Sequence, residues 1–248
     1  MGDIDQALAR AYARRGTPEA PMVPPPHFPI EPPVRSTPPS TVLEWPSTVR
    51  ALEREHGDRF EHLADALIAA RDQQLLKVLL FTSCHRSEGR TTLVLTLARA
   101  LARRPGRTLL VDADLSGPML ARLLGLRPRL GLDDVIEEGV AATEAVIEAP
   151  DDHLSILPLR AAVSRPREFL SSPAWPTAMA RLRRDFDLVL VDGGPLFAGL
   201  SHPPLPRGMD AAILVHNRSL TGAKAVVRAR EALDGGGIPL LGLAETFV

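Results

Sequence analysis

Two hydrophobic rhythms alternate along most of this chain. Short, mostly apolar runs occupy Leu76–Thr82, Thr108–Asp112 (TLLVD), Leu154–Leu157, Leu188–Asp192 (LVLVD), Ala211–His216 (AAILVH) and Leu240–Ala244. Runs of that length without polar alternation predict strands buried on both faces. Between them the apolar residues fall at helical spacing: Ser47–Gln73 (through Val49, Leu52, Phe60, Leu63, Leu67 and Ile68), Thr91–Arg103, Pro118–Leu124, Leu132–Glu138, Pro173–Arg184 and Thr221–Leu233. Strand and helix signals in this order predict an α/β fold, a mostly parallel sheet flanked by helices in three layers. No internal repeat is evident.

The first 46 residues break the rhythm. Asp3–Arg14 has Ile4, Ala7, Leu8 and Ala11 on one side and Asp3 as a cap, which predicts a short helix. Eleven prolines then crowd 16–46, from Pro18 to Pro46. Such a segment fills neither a helix nor a central strand, and it reads as a flexible spacer. The expected organisation is an N-terminal helix at 1–15, a Pro-rich linker at 16–46 and an α/β domain at 47–248.

The chemistry concentrates at Phe81–Thr92, FTSCHRSEGRTT. A buried strand feeding a tight loop that opens into a helix is the setting for binding phosphate. Small or polar residues at Ser83, Cys84, Ser87 and Gly89 let backbone N–H groups converge on an anion, and the helix N-terminus adds partial positive charge. Arg90 stands where such loops carry lysine, Thr91 offers a hydroxyl for Mg²⁺, and His85, Arg86, Glu88 and Thr92 complete the candidate cradle. Asp112, Asp114 and Asp192 end neighbouring strands, at the sheet edge where ligands of such folds collect. Three carboxylates there repel one another unless a cation sits among them. Each residue also has a plainer reading. A strand-end Asp commonly caps the next helix, Glu88 serves as a solvated loop charge, and His85 and Arg86 as exposed loop residues. Arg90 would then anchor to Asp192 in the absence of nucleotide. The loop and strand-end aspartates together favour a nucleotide site, while His153, His202 and His216 are too scattered for a metal.

Bulk composition narrows the classes. Net charge is −1 over 248 residues, which gives no sign of a nucleic-acid partner. Cys84 is the single cysteine, so a disulfide framework is excluded and a reducing, cytoplasmic setting is expected. No apolar run approaches the roughly 20 residues of a membrane span, and MGDIDQALARAY does not read as a signal peptide. Lys77 and Lys224 are the two lysines; arginine supplies the other basic residues, Arg90 included. Arginine and lysine bind phosphate differently, one as a planar fork and the other as a compact charge.

In order, these motifs resemble the bacterial tyrosine kinases of capsule and exopolysaccharide assembly, relatives of the MinD/ParA group of P-loop NTPases. The family's S-A-x-P-G-E-G-K-S/T is similar to Ser83–Thr91, and its D-A-D-L-R-x-P to Asp112–Pro118. Its D-x-V-I-I-D-T-P-P is similar to Asp187–Pro195, its G-L-S-D-V-L to Gly131–Ile136 and its P-x-E-L-L to Pro166–Leu170. Ile4–Leu8 is similar to a short N-terminal helix that members carry. The resemblance covers roughly 75–245. It implies a P-loop fold that binds ATP, with Mg²⁺ held by Thr91, Asp112 and Asp192. It further implies that Arg90 neutralises phosphate and that Asp114 or Asp112 orients the acceptor. The implied function is a cytoplasmic tyrosine autokinase regulating polysaccharide chain length and export. The implied partners are a membrane-bound, Wzz-like chain-length regulator, which would recruit the chain to the inner membrane face, and further copies of the chain itself. Three departures stand out: Arg90 replaces the lysine, Arg86-Ser87 replaces Pro-Gly, and the family's C-terminal tyrosine cluster is missing, since Tyr12 is the single tyrosine. The alternative is a catalytically impaired nucleotide-binding partner of an export complex.

Overall fold

The computed structural model describes residues 41–197 and 205–246. The helix expected at Asp3–Arg14, with Tyr12, and most of the Pro-rich segment lie outside them. Seven strands form one sheet: β1 Val78–Ser83, β2 Thr108–Ala113, β3 Ile147–Ala149, β4 Leu154–Leu157, β5 Leu188–Pro195, β6 Ala211–His216 and β7 Leu240–Glu245. Their spatial order is β3-β4-β2-β5-β1-β6-β7. Every neighbouring pair is parallel except β3–β4. The helices are α1 Ser47–Gln74, α2 Arg90–Ala102, α3 Leu120–Leu123, α4 Leu132–Glu137, α5 Ala142–Ala145, α6 Pro166–Ser171, α7 Ala174–Asp185 and α8 Ala223–Gly235.

The apolar strand runs are continuous because both faces of the sheet are covered. Val78, Leu80, Val111, Val189, Val191 and Leu214 face one core, which Val135, Trp175, Leu182 and Leu233 complete from α4, α7 and α8. Leu79, Phe81, Leu110, Leu190 and Ile213 face the other, closed by Val94, Leu97 and Leu101 of α2 and by Val49, Ala64 and Leu67 of α1. Alternate residues of one strand therefore serve two cores, the three-layer arrangement expected from the pattern.

Helix α1 rests on α2 rather than on the sheet, and arginines fasten it. Arg103 reaches Glu53 and Glu61 at 2.6 Å each, and Arg104 reaches Asp65 at 2.7 Å. The packed body begins ahead of residue 47: Leu43 and Trp45 are buried. Trp45 donates from Nε1 to Asp152 at 2.8 Å, and the Arg99 guanidinium lies 4.6 Å above its ring. The short antiparallel β3 and the helix α6 carry little periodic signal and were not expected. Ile147–Ala149 has three residues, too few for alternation to be read.

The parallel order brings the carboxyl ends of β1, β2 and β5 together. Phe81 is level with Asp192 on one side of β5, and Asp112 is level with Asp192 on the other. The loop Ser83–Thr91 leaves β1 beside these two aspartates.

Candidate nucleotide-binding site

The loop Ser83–Thr91 turns sharply between β1 and α2. Ser87 has φ 66° and Gly89 has φ 81°, the left-handed region that glycine adopts without strain. Gly89 is the N-cap of α2 and no side chain caps the helix. The first-turn N–H groups, which lack intrahelical acceptors in any helix, therefore face the loop. Gly193 is required by close packing: a Cβ there would sit 2.6 Å from Leu80 Cδ1 and 3.2 Å from the Phe81 carbonyl oxygen.

Arg90, the first residue of α2, is 8% exposed and points inward. Its Nε donates to Asp192 at 2.7 Å, Nη2 to Asp114 at 2.9 Å and Nη1 to the Ser83 hydroxyl at 3.2 Å. Burial works against its charge, and the Asp192 and Asp114 carboxylates outweigh that penalty, holding its pKa above the usual value. The cation needed among the strand-end carboxylates is thus, in this structure, supplied by the chain itself.

Thr91 donates its hydroxyl to the other Asp192 oxygen at 2.8 Å. A hydroxyl and a carboxylate side by side form an oxygen-only donor pair of the kind Mg²⁺ accepts, so the residues fit that ion. Among the described residues no group of three His, Cys, Asp or Glu side chains forms a metal-binding cluster.

Asp112 is fully buried and accepts N–H bonds from Met119 and Leu120, each at 2.9 Å, and from Asp114 at 3.3 Å. It caps the start of α3. Burial pushes its carboxyl up to about 7, with the Asp192 charge adding to the shift and the three N–H bonds opposing it.

Asp114 is shared by two arginines. Beside Arg90, Arg86 reaches it with Nη2 at 3.3 Å and Nη1 at 3.4 Å, and Arg86 also donates to the Ser116 hydroxyl at 2.6 Å. The Arg86 side chain remains about half exposed. Asp114 therefore lies between an inner and an outer cation.

The other loop residues divide by burial. Cys84 is fully buried, and burial, helped by the Glu88 charge, pushes its thiol up to about 12, so it is inert. His85 is exposed, its ring 6.0 Å from Phe197. Thr92 sits in the first turn of α2, where its carbonyl accepts from Thr96. Glu88 is buried rather than solvated. Its carboxylate accepts from the His85 N–H at 2.7 Å and the Asn217 N–H at 3.2 Å, and its carbonyl accepts from the Thr246 hydroxyl at 2.7 Å. Asn217 and Thr246 are parts of the site that spacing did not reveal; nothing in the sequence ties positions so distant to the loop.

A cavity of about 440 Å³ lies beside these carboxylates, lined by Thr82, Ala113, Ser116 and Gly193, with Arg165 and Glu168 among its other walls. Among the described residues no helix is long and apolar enough to cross a membrane.

No protein-family model matches the chain. It is 28% identical over 165 residues to the tyrosine-protein kinase YwqD of Bacillus subtilis, covering 66% of this chain and 69% of that protein. It is 33% identical over 132 residues to the succinoglycan biosynthesis transport protein ExoP of Rhizobium meliloti, covering 52% of this chain and 16% of ExoP. The kinase domain of the Escherichia coli tyrosine kinase ETK matches the fold with a TM-score of 0.72 at 20% identity, over 81% of this chain and 80% of that one. The septum site-determining protein MinD of Pyrococcus horikoshii, solved with Mg-ADP, matches with a TM-score of 0.54 at 23% identity, over 68% and 69%. The chain is thus similar in sequence to bacterial tyrosine-protein kinases such as YwqD, and it shares the fold of the ETK kinase domain and MinD.

Proposed function

We propose that this chain binds ATP with Mg²⁺ in the Ser83–Thr91 loop and transfers the terminal phosphoryl group to a tyrosine hydroxyl, in the service of polysaccharide export. The observation that carries the reading is the junction of loop and carboxylates. The hydroxyl of Thr91 bonds Asp192, the acid on β5, directly at the uncapped N-terminus of α2. The loop and helix N–H groups would hold the phosphates, and Thr91 with Asp192 would hold the metal. Asp112, level with Asp192 on the neighbouring strand, would complete the metal side. Bound Mg²⁺ supplies charge neutralisation of the phosphates.

In the transfer, the acceptor oxygen forms a bond to the terminal phosphorus as the bond from that phosphorus to the bridging oxygen breaks. ADP leaves, and the acceptor's proton passes to Asp114 and then to water. The chain's work is positioning and electrostatics. YwqD carries the name of a tyrosine-protein kinase, and ExoP that of a succinoglycan biosynthesis transport protein. These names support the kinase reading and a polysaccharide-export setting. A membrane-bound chain-length regulator would bring the chain to the inner face of the membrane.

Transfer of label from γ-labelled ATP tests the reading in the wild type, Asp192→Asn and Tyr12→Phe. Label on the wild type and its loss in Asp192→Asn is the expected result. Loss in Tyr12→Phe names Tyr12 as the acceptor. Absence of label on the wild type and on any added tyrosine substrate overturns the kinase reading.

A further inference from the structure

Arg90 stands where the family's loop carries lysine, yet its guanidinium is already committed. All three of its nitrogens donate inward, to Asp192, Asp114 and Ser83. A phosphate would have to draw this arginine away from two buried carboxylates, leaving Asp192 without a counter-charge. Breaking a buried pair on one side is costly.

Arg86 is differently placed. It lies on the same loop, its side chain is about half exposed, and its two contacts with Asp114 are long, at 3.3 and 3.4 Å. Its one short bond is to a neutral hydroxyl, that of Ser116. Asp114 is buried, but with a half-exposed donor and long contacts the pair is held loosely and readily exchanged. If Arg86 left, Asp114 would keep Arg90, so no buried charge would be stranded. Both Nη groups face the two oxygens of one carboxylate, a fork that fits two phosphate oxygens equally well. Gly117 makes room for that fork, since a Cβ there would lie 2.8 Å from Nη1. Arg86 also reaches across to Asp114 and Ser116, the side of the loop where the carboxylates converge. A phosphate about to be transferred must lie on that side if Asp114 is to take the acceptor's proton.

We propose that Arg86, rather than Arg90, is the side chain that grips the terminal phosphate of the nucleotide, while Arg90 is the internal counter-ion that holds Asp192 and Asp114. The inference rests on the nucleotide reading above. It gives this loop a phosphate hand at a position where the family motif has proline.

Equilibrium binding of fluorescent ATP and ADP analogues with Mg²⁺, together with thermal melting, tests it in the wild type, Arg86→Gln, Arg86→Lys and Arg90→Gln. Arg86→Gln should weaken ATP about tenfold or more, the effect of losing bonds to a charged group. It should leave ADP within about threefold and the melting temperature within about 2 °C. Arg86→Lys should recover part of the ATP affinity. Arg90→Gln should melt at a clearly lower temperature. An Arg86→Gln protein that binds ATP as the wild type does, or loses ATP and ADP equally, overturns the inference and leaves the nucleotide reading standing. So does a folded Arg90→Gln protein that alone loses the preference for ATP. A wild type that binds neither nucleotide overturns the nucleotide reading and this inference with it.

Discussion

Asp112 and Asp192 lie level with each other on adjacent parallel strands, β2 and β5, at the edge where the Ser83–Thr91 loop departs. Two acids so placed cannot both hold full charge without help. Arg90 and Thr91 neutralise and bond Asp192, while Asp112 accepts from the backbone N–H groups of Asp114, Met119 and Leu120. Burial raises the Asp112 carboxyl to about 7, and the neighbouring Asp192 charge adds to the rise.

A pH dependence follows from that shift. The ordinary carboxyl value is 3.8, so between about 4 and 7 the folded chain keeps a proton on Asp112 that the unfolded chain has lost. The stability this contributes is complete below the unfolded value and is lost as pH rises through about 7. Urea unfolding across this range should show a falling trend in the wild type that Asp112→Asn flattens. Parallel trends in the two proteins would mean that Asp112 does not carry the proton.

Thr91→Val keeps the shape of the side chain but deletes the hydroxyl that bonds Asp192. It should leave Mg²⁺-free nucleotide binding within about threefold and remove most of the gain on adding Mg²⁺, because one oxygen ligand is gone. Isothermal titration with and without the metal measures both. An undiminished Mg²⁺ gain would take Thr91 out of the metal site.

Trp45 is buried, bonded to Asp152 and stacked beneath Arg99. Trp45→Ala should cost roughly 3 kcal/mol, the range for emptying a large aromatic site. A protein beginning at residue 41 should melt with the full chain, and one beginning at residue 47 should melt earlier. Equal melting of the two truncations would show that the 43–45 contact is without consequence.

Gly193→Ala puts a methyl group against Leu80 and the Phe81 carbonyl, next to Asp192. The strands cannot separate there without losing their ladder, so about 1–3 kcal/mol of destabilisation is expected, by the usual cost of overpacking. Denaturant midpoints check it. A midpoint at the wild-type value would mean that Leu80 moves aside freely.

Much of the architecture was legible because the sheet is buried on both faces. Leu154–Leu157 and Ala211–His216 come out with the very limits their apolar runs suggest. The edge strand β3 did not, because Glu148 interrupts a three-residue segment. The linker composition hid Leu43 and Trp45, whose packing depends on partners such as Asp152 more than 100 positions away. At the site, residue types and spacing were enough to gather the loop, Asp112, Asp114 and Asp192. The contact of Arg90 with Asp192, weighed as the plainer reading, is present, and Asp112 caps a helix as strand-end acids commonly do. The burial of Glu88 was not legible, since the amide that holds it belongs to Asn217, on another strand's exit.

The small bond from Thr246 to the Glu88 carbonyl ties the outermost strand to the anion cradle. Glu88 in turn spans from His85 to Asn217, so hydrogen bonds join the loop, the β6 exit and the sheet border. A pull on that border would therefore reach the Ser83–Thr91 loop through the Glu88 carbonyl.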